Sequence, residues 1–270
     1  MRALYCLLGD PVAHSRSPAI HARAFALLGV DAVYAPCKVA AAELPLAVAG
    51  LRALGALGFN LTVPHKEPAA LLLDKIHPSA QRIGAVNCVV RDGEVLIGHN
   101  TDAPGLLRAL RARGIDPAGA RAVVVGAGGS ARAAAWALSP HAAKITIVNR
   151  TVSKAQTLAA LVQAAGCAAE AAPLDEVRPL REATLVVQCT SIGLSTNDLP
   201  FDPAVLSPEC AVVDLVYAPA GKTELLRRFA GRTVDGLDVL VQQAIASLEI
   251  WLARPQLDHL AGPLREAALA

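Results

Sequence analysis

The segment VVVGAGGSARA at residues 123–133 constrains the fold of this chain more than any other stretch. Its valine run predicts a buried strand, Gly126 and Gly128 predict a tight turn with a close backbone approach, and the small Ala131 permits helix–strand packing. A helix beginning near Ser130 would present backbone N–H groups and the positive end of its dipole to a pyrophosphate. An isolated tight turn is the alternative. The strand before it, the helix after it and a second strand ending about 20 residues on favour a dinucleotide site.

The end of that second strand indicates which dinucleotide binds. Sites for NAD place Asp or Glu there, to hold the ribose hydroxyls. This chain has Asn149, Arg150 and Thr151, with Lys154 one turn further. Arg offers a fork of donors to a 2′-phosphate and Lys adds a point charge, whereas a carboxylate would repel the phosphate. Two surface cations are the alternative, but cations are unfavourable at a helix start. The predicted cofactor is therefore NADP.

Strand-like and helix-like segments alternate almost throughout the chain, which indicates parallel sheets with crossover helices. We expect an α/β fold with an N-terminal α/β substrate domain at 1–101 and a Rossmann-type, doubly wound parallel-sheet NADP domain at 102–236. Helices at 237–270 are expected to return to the substrate domain. Strands are predicted at 3–9, 32–39, 57–63, 144–151, 183–191 and 210–217, a hairpin at 85–98 with its turn at Asp92-Gly93, and helices at 17–29, 43–54, 103–114 and 240–253.

The helix predicted at 17–29 has residues typical of a helix start and of a helix end. Ser17 is the predicted N-cap, Pro18 the first helical residue and Gly29 the stop. We therefore expect this helix to begin directly after the polar segment GDPVAHSRS.

Composition and charge argue against several classes of function. Of the 270 residues 54% are hydrophobic, which supports a large core without disulfide or metal staples. The formal net charge of +2, with no basic run, gives no sign of a nucleic-acid or membrane partner. No stretch reaches the ~18 uninterrupted apolar residues of a membrane span. The first apolar run meets Gly9, Asp10 and Pro11 too early for a signal peptide.

The six cysteines are widely spaced and never form a CxxC pair. Metal ligation would require closer clustering with histidines, so no metal site is predicted. Five of the cysteines lie inside apolar runs, where a free thiol behaves as a small hydrophobe. We expect a cytoplasmic protein with reduced cysteines. No segment marks an interface, so the expected assembly is a monomer or a homodimer.

The segment NLTVPHKE at residues 60–67 places a lysine at the mouth of a strand. Pro64 ends the strand because it cannot donate to a ladder. Lys66 follows at once, either as a solvated loop charge or as a proton donor held over a substrate. His65 is equally well explained as a histidine that packs the loop.

Other polar residues end strands of the first domain in an otherwise apolar chain. Each has a simple explanation as a cap, a turn former or a hairpin end, but together they supply hydroxyls, amides, one ammonium and one carboxylate. In open α/β sheets small ligands bind beyond the carboxyl ends of the strands. The set therefore suits a small ligand that carries hydroxyls and a carboxylate. Its members are Ser15, Ser17, Asn60, Thr62, Lys66, Asn87 and Asp102.

The chain closely resembles the shikimate dehydrogenase family. The segments that carry the resemblance cover nearly the whole chain in order: GDPVAHSRSP, NLTVPHKE, GAVN, NTD, GAGGSARA, NRT, DLVYAP and GLDVLVQQA. The resemblance implies a substrate domain made of the N-terminal part and the last helices, with a middle domain that binds NADP. It also implies reversible NADP-linked reduction of 3-dehydroshikimate to shikimate.

The resemblance implies a role for individual residues. Lys66 and Asp102 are the catalytic pair, and the chemistry agrees, because hydride leaves a carbinol carbon only as the hydroxyl proton is taken. The implied substrate contacts are Ser15, Ser17, Asn60, Thr62, Asn87, Tyr217 and Gln243, with the serines on the carboxylate and Tyr217 closing on the ligand. The implied cofactor contacts are Gly126, Ala127, Gly128, Gly129, Ser130, Ala131, Asn149, Arg150, Thr151, Lys154, Thr190, Leu215, Gly236 and Val239.

Three segments depart from the pattern of the family, at four positions. Asp238 and Val239 stand where Gly-Met is common, Gln188 stands where Asn is usual, and Lys154 replaces an Arg. These departures leave open a branch that uses quinate or aminoshikimate. A ligand-sensing protein that kept the fold without the chemistry is a further alternative, although a sensor would not need Lys66 with Asp102. A folate-linked dehydrogenase would leave the paired serines unexplained.

Overall fold

The computed structural model of the protein describes residues 2–218 and 221–270. They form two units, one made of residues 2–105 and 241–270, the other of residues 106–240. Each unit has its own apolar core, centred on Phe59 and its neighbours in the first and on the valines of the sheet in the second. Among the described residues, no helix is both long enough and apolar enough to cross a membrane.

The chain passes between the units inside two continuous helices, α4 (Asp102–Ala112) and α9 (Gly236–Leu252). The domain limits expected at 101 and 236 lie at the starts of these helices, whereas the units divide four residues later in each case, at 105 and 240. A helix gives no break in composition at the point where its packing partner changes, so the sequence offers no signal for that limit.

The first unit contains a mixed six-stranded sheet in the order β2-β1-β3-β5-β6-β4. Strand β1 pairs in parallel with β2 and β3, while β5 and β6 form an antiparallel hairpin that pairs with β3. The elements are β1 (Ala3–Gly9), α1 (Ser17–Leu28), β2 (Ala32–Lys38), α2 (Leu44–Ala53), β3 (Gly58–Leu61), β4 (Lys75–Ile76), α3 (Pro78–Ile83), β5 (Cys88–Asp92), β6 (Val95–His99), the start of α4, most of α9 and α10 (Ala261–Leu269), with 3₁₀ turns at Ala41–Glu43, Pro68–Leu72 and Asp258–Leu260.

The second unit contains six parallel strands in the order β12-β11-β10-β7-β8-β9. Read from the other edge, this is the Rossmann order 3-2-1-4-5-6, which confirms the predicted fold class. Its elements after α4 are β7 (Arg121–Val125), α5 (Gly129–Leu138), β8 (Lys144–Asn149), α6 (Val152–Ala164), β9 (Ala169–Pro173), α7 (Arg178–Glu182), β10 (Leu185–Gln188), a 3₁₀ turn (Pro203–Val205), β11 (Ala211–Asp214), α8 (Glu224–Arg228), β12 (Arg232–Asp235) and the start of α9.

Two details of the predicted turns are wrong by one residue. The hairpin turn consists of Gly93, with φ of 59°, and Glu94, because Asp92 still pairs with Val95. Ser17 is the first residue of α1 rather than its N-cap, which is Arg16. The N-cap makes no side-chain capping bond; instead the hydroxyl of Ser15 accepts the backbone N–H of Ser17 at 3.2 Å.

All six cysteines are free thiols. Burial raises the pKa of Cys6 and of Cys88 to about 12, and that of Cys210 to about 11. These thiols are therefore protonated near neutral pH, and Cys6 and Cys210 pack as small groups in the two apolar cores.

Candidate active site

Lys66 and Asp102 form an ion pair in the first unit. Lys66 lies in the turn after β3, and Asp102 is the first residue of α4. The Nζ of Lys66 is 2.7 Å from Oδ2 of Asp102, and the two side chains are only 13% and 19% exposed. Because the pair is largely shielded from water, its attraction is stronger than that of a surface pair. The backbone N–H of Val86 donates to the carbonyl of Lys66 at 2.7 Å, which fixes the turn that carries the lysine.

The second oxygen of Asp102 is held by Asn87. Its Nδ2 donates to Asp102 Oδ1 at 2.8 Å. The orientation of the Asn87 amide is defined, because its Oδ1 accepts the backbone N–H of Thr101 at 2.7 Å and a backbone N–H can only donate. Asp102 also lies in the first turn of α4, where the helix dipole favours a negative charge. The carboxylate is thus fixed at both oxygens.

The other predicted substrate residues of the first unit lie at the start of α1, in α9 and after the end of β3. Ser17 is the first residue of α1, and Ser15 lies two residues before it, with its hydroxyl bonded to the backbone N–H of Ser17. Gln243 on α9 brings its Oε1 to 3.3 Å from Asn87 Nδ2. The backbone of Thr62 donates to the carbonyl of Leu8 at 2.9 Å, which places this threonine beside the end of β1.

Asn60 is 5% exposed, and its amide is engaged by protein groups. Its Oδ1 accepts the hydroxyl of Tyr34 at 2.9 Å, and its Nδ2 donates to the carbonyl of Asn87 at 3.0 Å and to Ser247 Oγ at 3.2 Å. Both amide protons are therefore used within the unit. This geometry favours a role in holding neighbours over a direct contact with a ligand.

His65 is fully buried, and its Nε2 lies 2.9 Å from the carbonyl of Val39. A carbonyl only accepts, so Nε2 carries the proton. The geometry fits the loop-packing interpretation of this histidine, which ties the segment of Lys66 to the end of β2.

Thr101 and Ser247 were not anticipated from the sequence as parts of the site. Thr101 Oγ1 lies 2.9 Å from Asn87 Nδ2 and 3.1 Å from Ser247 Oγ, and both side chains are 0% exposed. The available signal was a single hydroxyl inside the apolar run AIASLEI of α9. A buried hydroxyl in such a run requires a partner.

Aromatic rings pack beneath these polar groups, although the chain is only 3% aromatic. Tyr5 contacts Phe25 and Trp251 at ring-centroid distances of 5.2 and 4.7 Å. His21 stacks on Tyr34 at 4.1 Å with the ring planes 1° apart. The rings of Tyr5, His21, Phe25, Tyr34 and Trp251 therefore form one cluster in the first unit.

The glycine turn in the second unit has the backbone that a dinucleotide requires. Gly126 has φ of 114°, which favours glycine, and a Cβ there would lie 3.2 Å from Thr190 Cγ2. Gly128 is the N-cap of α5 and makes no side-chain capping bond, and the space around its missing Cβ is open. The predicted set from Gly126 to Ala131 therefore forms a helix N-terminus that is open at Gly128, as a pyrophosphate site needs.

The residues after β8 present cations to solvent. Asn149 Nδ2 donates to the carbonyl of Thr151 at 2.9 Å, which shapes the turn, while Arg150 and Lys154 are exposed. Arg150 also borders a cavity of about 550 Å³. Its walls are mainly apolar and include Pro173, Leu174, Val177, Leu180, Phe201 and Val205.

Gln188, one of the departures from the family pattern, organises the loop after β10. It is fully buried, its Oε1 accepts the backbone N–H of Thr190 at 2.9 Å, and its Nε2 donates to the carbonyl of Ile192 at 3.2 Å. The longer amide is therefore used inside the loop that carries Thr190.

Asp238, the second departure, is paired within its own unit. Arg113 Nε donates to Asp238 Oδ2 at 3.0 Å, and the carboxylate lies in the first turn of α9. Asp235 Oδ1 accepts the backbone N–H of Leu237 at 2.8 Å at the same helix start. The added charge is thus compensated locally, and the neighbouring Val239 is buried at 6% exposure.

Gly236 is required by its surroundings, because a Cβ there would lie 2.5 Å from the carbonyl oxygen of Leu215. Nearby, Asp214 Oδ2 accepts the hydroxyl of Thr223 at 2.6 Å and Oδ1 accepts the backbone N–H of Val216 at 3.1 Å. Burial raises the pKa of Asp214 to about 6. These contacts anchor the segment of Leu215 and Tyr217, and Tyr217 itself is half-buried in the second unit.

A Rossmann-ordered unit with an open glycine turn, joined in one chain to an α/β unit with a lysine–carboxylate pair, defines a dinucleotide-linked dehydrogenase class. Comparison with known proteins narrows this class. Residues 7–89 match the shikimate dehydrogenase substrate binding domain, and residues 109–195 match shikimate / quinate 5-dehydrogenase. The chain belongs to the shikimate dehydrogenase family, as its sequence motifs predict.

Individual relatives resemble the chain over nearly its full length. It is 44% identical to the shikimate dehydrogenase (NADP(+)) of Symbiobacterium thermophilum, over 98% of this chain and 92% of the relative. The crystal structure of shikimate 5-dehydrogenase from Thermus thermophilus with NADP(H) and shikimate is 37% identical, with a TM-score of 0.86 and 98% of each chain covered. Quinate dehydrogenase from Corynebacterium glutamicum in complex with NAD is 30% identical, with a TM-score of 0.87 and 99% of each chain covered.

Proposed function

We propose that this protein is an NADP-dependent oxidoreductase that interconverts 3-dehydroshikimate and shikimate, a step towards the aromatic amino acids. The observation that carries the proposal is the ion pair of Lys66 Nζ and Asp102 Oδ2 at 2.7 Å, with Asn87 bonded to the other carboxylate oxygen. The pair lies in a chain that is 44% identical to a shikimate dehydrogenase (NADP(+)). The reaction takes place in the cytoplasm on a small-molecule substrate.

When bound, the oxidised cofactor NADP⁺ would accept the hydride of shikimate, and the reduced cofactor NADPH would supply it to the ketone. Lys66 Nζ holds the oxygen of the reacting carbon, donating a proton to it during reduction and taking the proton during oxidation. Asp102 keeps the Lys66 side chain in place, because its carboxylate is itself fixed at both oxygens. A positioned group of this kind contributes roughly 10²–10⁴ in rate.

Ser15, Ser17, Thr62, Asn87 and Gln243 are proposed to hold the hydroxyls and the carboxylate of the substrate. Asn87 serves only as an acceptor through Oδ1, because its Nδ2 donates both protons to Thr101 and Asp102. The serine hydroxyls at the start of α1 can donate to a carboxylate, and amides can serve hydroxyls as donor or acceptor. Tyr217 is proposed to close on the ligand.

The proposed cofactor contacts lie in the glycine turn, at the end of β8 and in the turn that follows it, and in the loop that contains Thr190. The open space at Gly128 suits the pyrophosphate, and exposed Arg150 and Lys154 suit the 2′-phosphate. The mainly apolar cavity beside Arg150 suits a planar base. Leu215, Gly236 and Val239 complete the set.

Preference for quinate is the second candidate, favoured by the similarity to quinate dehydrogenase over 99% of each chain. Asp238 and Gln188 do not by themselves support it, because both side chains are bonded within the second unit.

The test measures formation of reduced cofactor with shikimate, quinate or no substrate, each with NADP and with NAD. We expect the highest kcat/KM with shikimate and NADP. A higher kcat/KM with quinate would replace the first candidate by the second. Binding of shikimate without turnover would instead identify a sensor, and no binding of either acid would overturn both candidates.

A further inference from the structure

A continuous set of buried hydroxyl and amide groups leads from β2 to Asp102. We name it the buried relay, and it consists of Tyr34, Asn60, Ser247, Thr101 and Asn87. Tyr34 donates to Asn60, Asn60 bonds Ser247, Ser247 bonds Thr101, and Thr101 bonds Asn87, over distances of 2.9, 3.2, 3.1 and 2.9 Å. All its members lie in the first unit and none is more than 7% exposed.

Three backbone groups fix the direction of the donors in this relay. The carbonyl of Asn87 can only accept, so Nδ2 of Asn60 faces it and Oδ1 of Asn60 faces Tyr34. The carbonyl of Gln243 accepts from the hydroxyl of Ser247 at 3.0 Å. The only proton of Ser247 is thereby used, so its oxygen is the acceptor in its bonds with Asn60 and Thr101.

Backbone contacts also fix the direction of the donor that bonds the Asp102 carboxylate. The backbone N–H of Thr101 turns Oδ1 of Asn87 towards itself, so Nδ2 of Asn87 donates to Thr101 Oγ1 and to Asp102 Oδ1. Thr101 can accept this bond only if its own proton points elsewhere, and acceptors lie at 3.1 Å in Ser247 Oγ and at 3.3 Å in Gln243 Oε1. The donors from Asn87 to Thr101 and to Asp102 therefore have a defined direction, and Ser247 Oγ is the nearest acceptor for the proton of Thr101.

Ser247 is the junction of the relay. A serine in a helix commonly bonds the carbonyl one turn before it, and this bond alone would be a local structural feature. Ser247 differs because its oxygen also accepts from two groups that lie 187 and 146 positions away in the chain. Removing the hydroxyl would leave the protons of Asn60 and Thr101 with one acceptor fewer in a site closed to water.

We propose that Ser247 is a positioning residue for the reaction: through Thr101 and Asn87 it holds the Asp102 carboxylate in the orientation that supports Lys66. The inference rests on the proposed dehydrogenase function and adds to it a residue that does not touch the substrate.

The test is Ser247→Ala, assayed with shikimate and NADP beside wild type. We expect kcat to fall roughly tenfold, on the scale by which a small misplacement of catalytic groups slows a reaction, with the KM for NADP unchanged. The solvent deuterium isotope effect on kcat should rise, because the proton step becomes slower relative to the other steps. Ser139→Ala is the matched control, since it removes a serine hydroxyl bonded to a helix carbonyl in the second unit.

A double-mutant cycle tests whether Ser247 acts on the Asp102 carboxylate through Thr101. If Ser247 acts through Thr101, adding Ser247→Ala to Thr101→Val should lower kcat no further. A Ser247→Ala variant with a lower Tm but with unchanged kcat and isotope effect would overturn the proposal, as would additive losses in the cycle.

If Ser247→Ala does not fold, Tyr34→Phe decides by the same kcat and isotope readouts, because it removes only the first hydroxyl of the relay. Failure of wild type to turn over shikimate would overturn the proposed function instead.

Discussion

The Asp102 carboxylate shows how single residues prepare a site for proton transfer. Lys66 and Asn87 bond its two oxygens at 2.7 and 2.8 Å, and the start of α4 adds the favourable end of a helix dipole. The ammonium is therefore held by a rigid partner. Preorganisation of this kind avoids the reorganisation that solvent-exposed charges would undergo during the reaction.

Replacement of the lysine tests this role. We expect Lys66→Ala to lower kcat by roughly 10²–10⁴, because the group that holds the proton is lost. Turnover is measured with shikimate and NADP, and circular dichroism verifies folding. Lys75→Ala, which removes an exposed lysine of the same unit, should keep full activity. A Lys66→Ala enzyme with turnover close to wild type would refute the assignment.

Arg150 determines cofactor preference in our interpretation. Arg150→Ala should lower kcat/KM with NADP roughly 10–100-fold, the equivalent of about 1.5–3 kcal/mol for hydrogen bonds to a charged group. The value with NAD should not change, since NAD lacks the 2′-phosphate. Arg111→Ala on the exposed side of α4 is the control. An unchanged ratio between the two cofactors would contradict the role of Arg150.

At the level of elements, the first turn of α4 and the part of α9 in the first unit approach closely at Gly105. A Cβ on Gly105 would lie 2.8 Å from the backbone nitrogen of Gln243 and 2.9 Å from its Cα. Backbone atoms cannot move aside as a flexible side chain can. The glycine therefore permits the helix contact that brings Gln243 and Ser247 to Thr101.

This contact gives a prediction with a built-in control. Gly105→Ala should reduce the free energy of unfolding by about 1–3 kcal/mol through overpacking and should also raise the KM for shikimate, because Gln243 is displaced. Gly50→Ala, inside α2 with nothing within 4 Å of the added Cβ, should instead stabilise the protein by about 0.4–1 kcal/mol. Denaturant unfolding measures both, and equal effects of the two variants would exclude the packing explanation.

At the level of the whole molecule, buried titratable groups determine how stability depends on pH. Burial lowers the pKa of His21 to about 4, and burial with the nearby His77 lowers that of His99 to about 4. A histidine with a lowered pKa contributes stability that is complete above its unfolded value of about 6.5 and is lost as the pH falls towards 4. Asp214, with its pKa raised to about 6, acts in the opposite sense, because its native form keeps a proton that the unfolded chain releases.

His21 should account for a measurable part of the acid sensitivity. Between about pH 7 and about pH 5 its contribution falls by roughly 2 kcal/mol, since the unfolded chain binds the proton and the folded protein does not. His21→Gln should therefore show a smaller loss of unfolding free energy over this range. Trp251, 5.3 Å from His21, reports unfolding of the first unit by fluorescence once Trp136, the second of the two tryptophans, is replaced by Phe. An identical pH dependence in the His21→Gln variant would disprove this assignment.

Local patterns in the sequence determined much of this molecule. The valine runs predicted buried parallel strands because such strands are covered on both faces, and the glycine turn predicted the dinucleotide unit because only glycine adopts a φ near that of Gly126 without strain. The predicted strands were too long at their ends, as at 57–63 against Gly58–Leu61, because the same residue types continue into the loops that carry the site.

Tertiary structure alone decided how the polar residues meet. From the sequence, Asn60 and Asn87 were two amides at strand ends, and Ser247 was an unremarked residue of an apolar helix. Their hydrogen bonds join groups as far as 187 positions apart, and such contacts depend on helix packing and strand order rather than on local preference. The sequence by itself therefore determined the family, the elements and the chemical groups of the site, whereas the fold determined which of these groups hold one another in place.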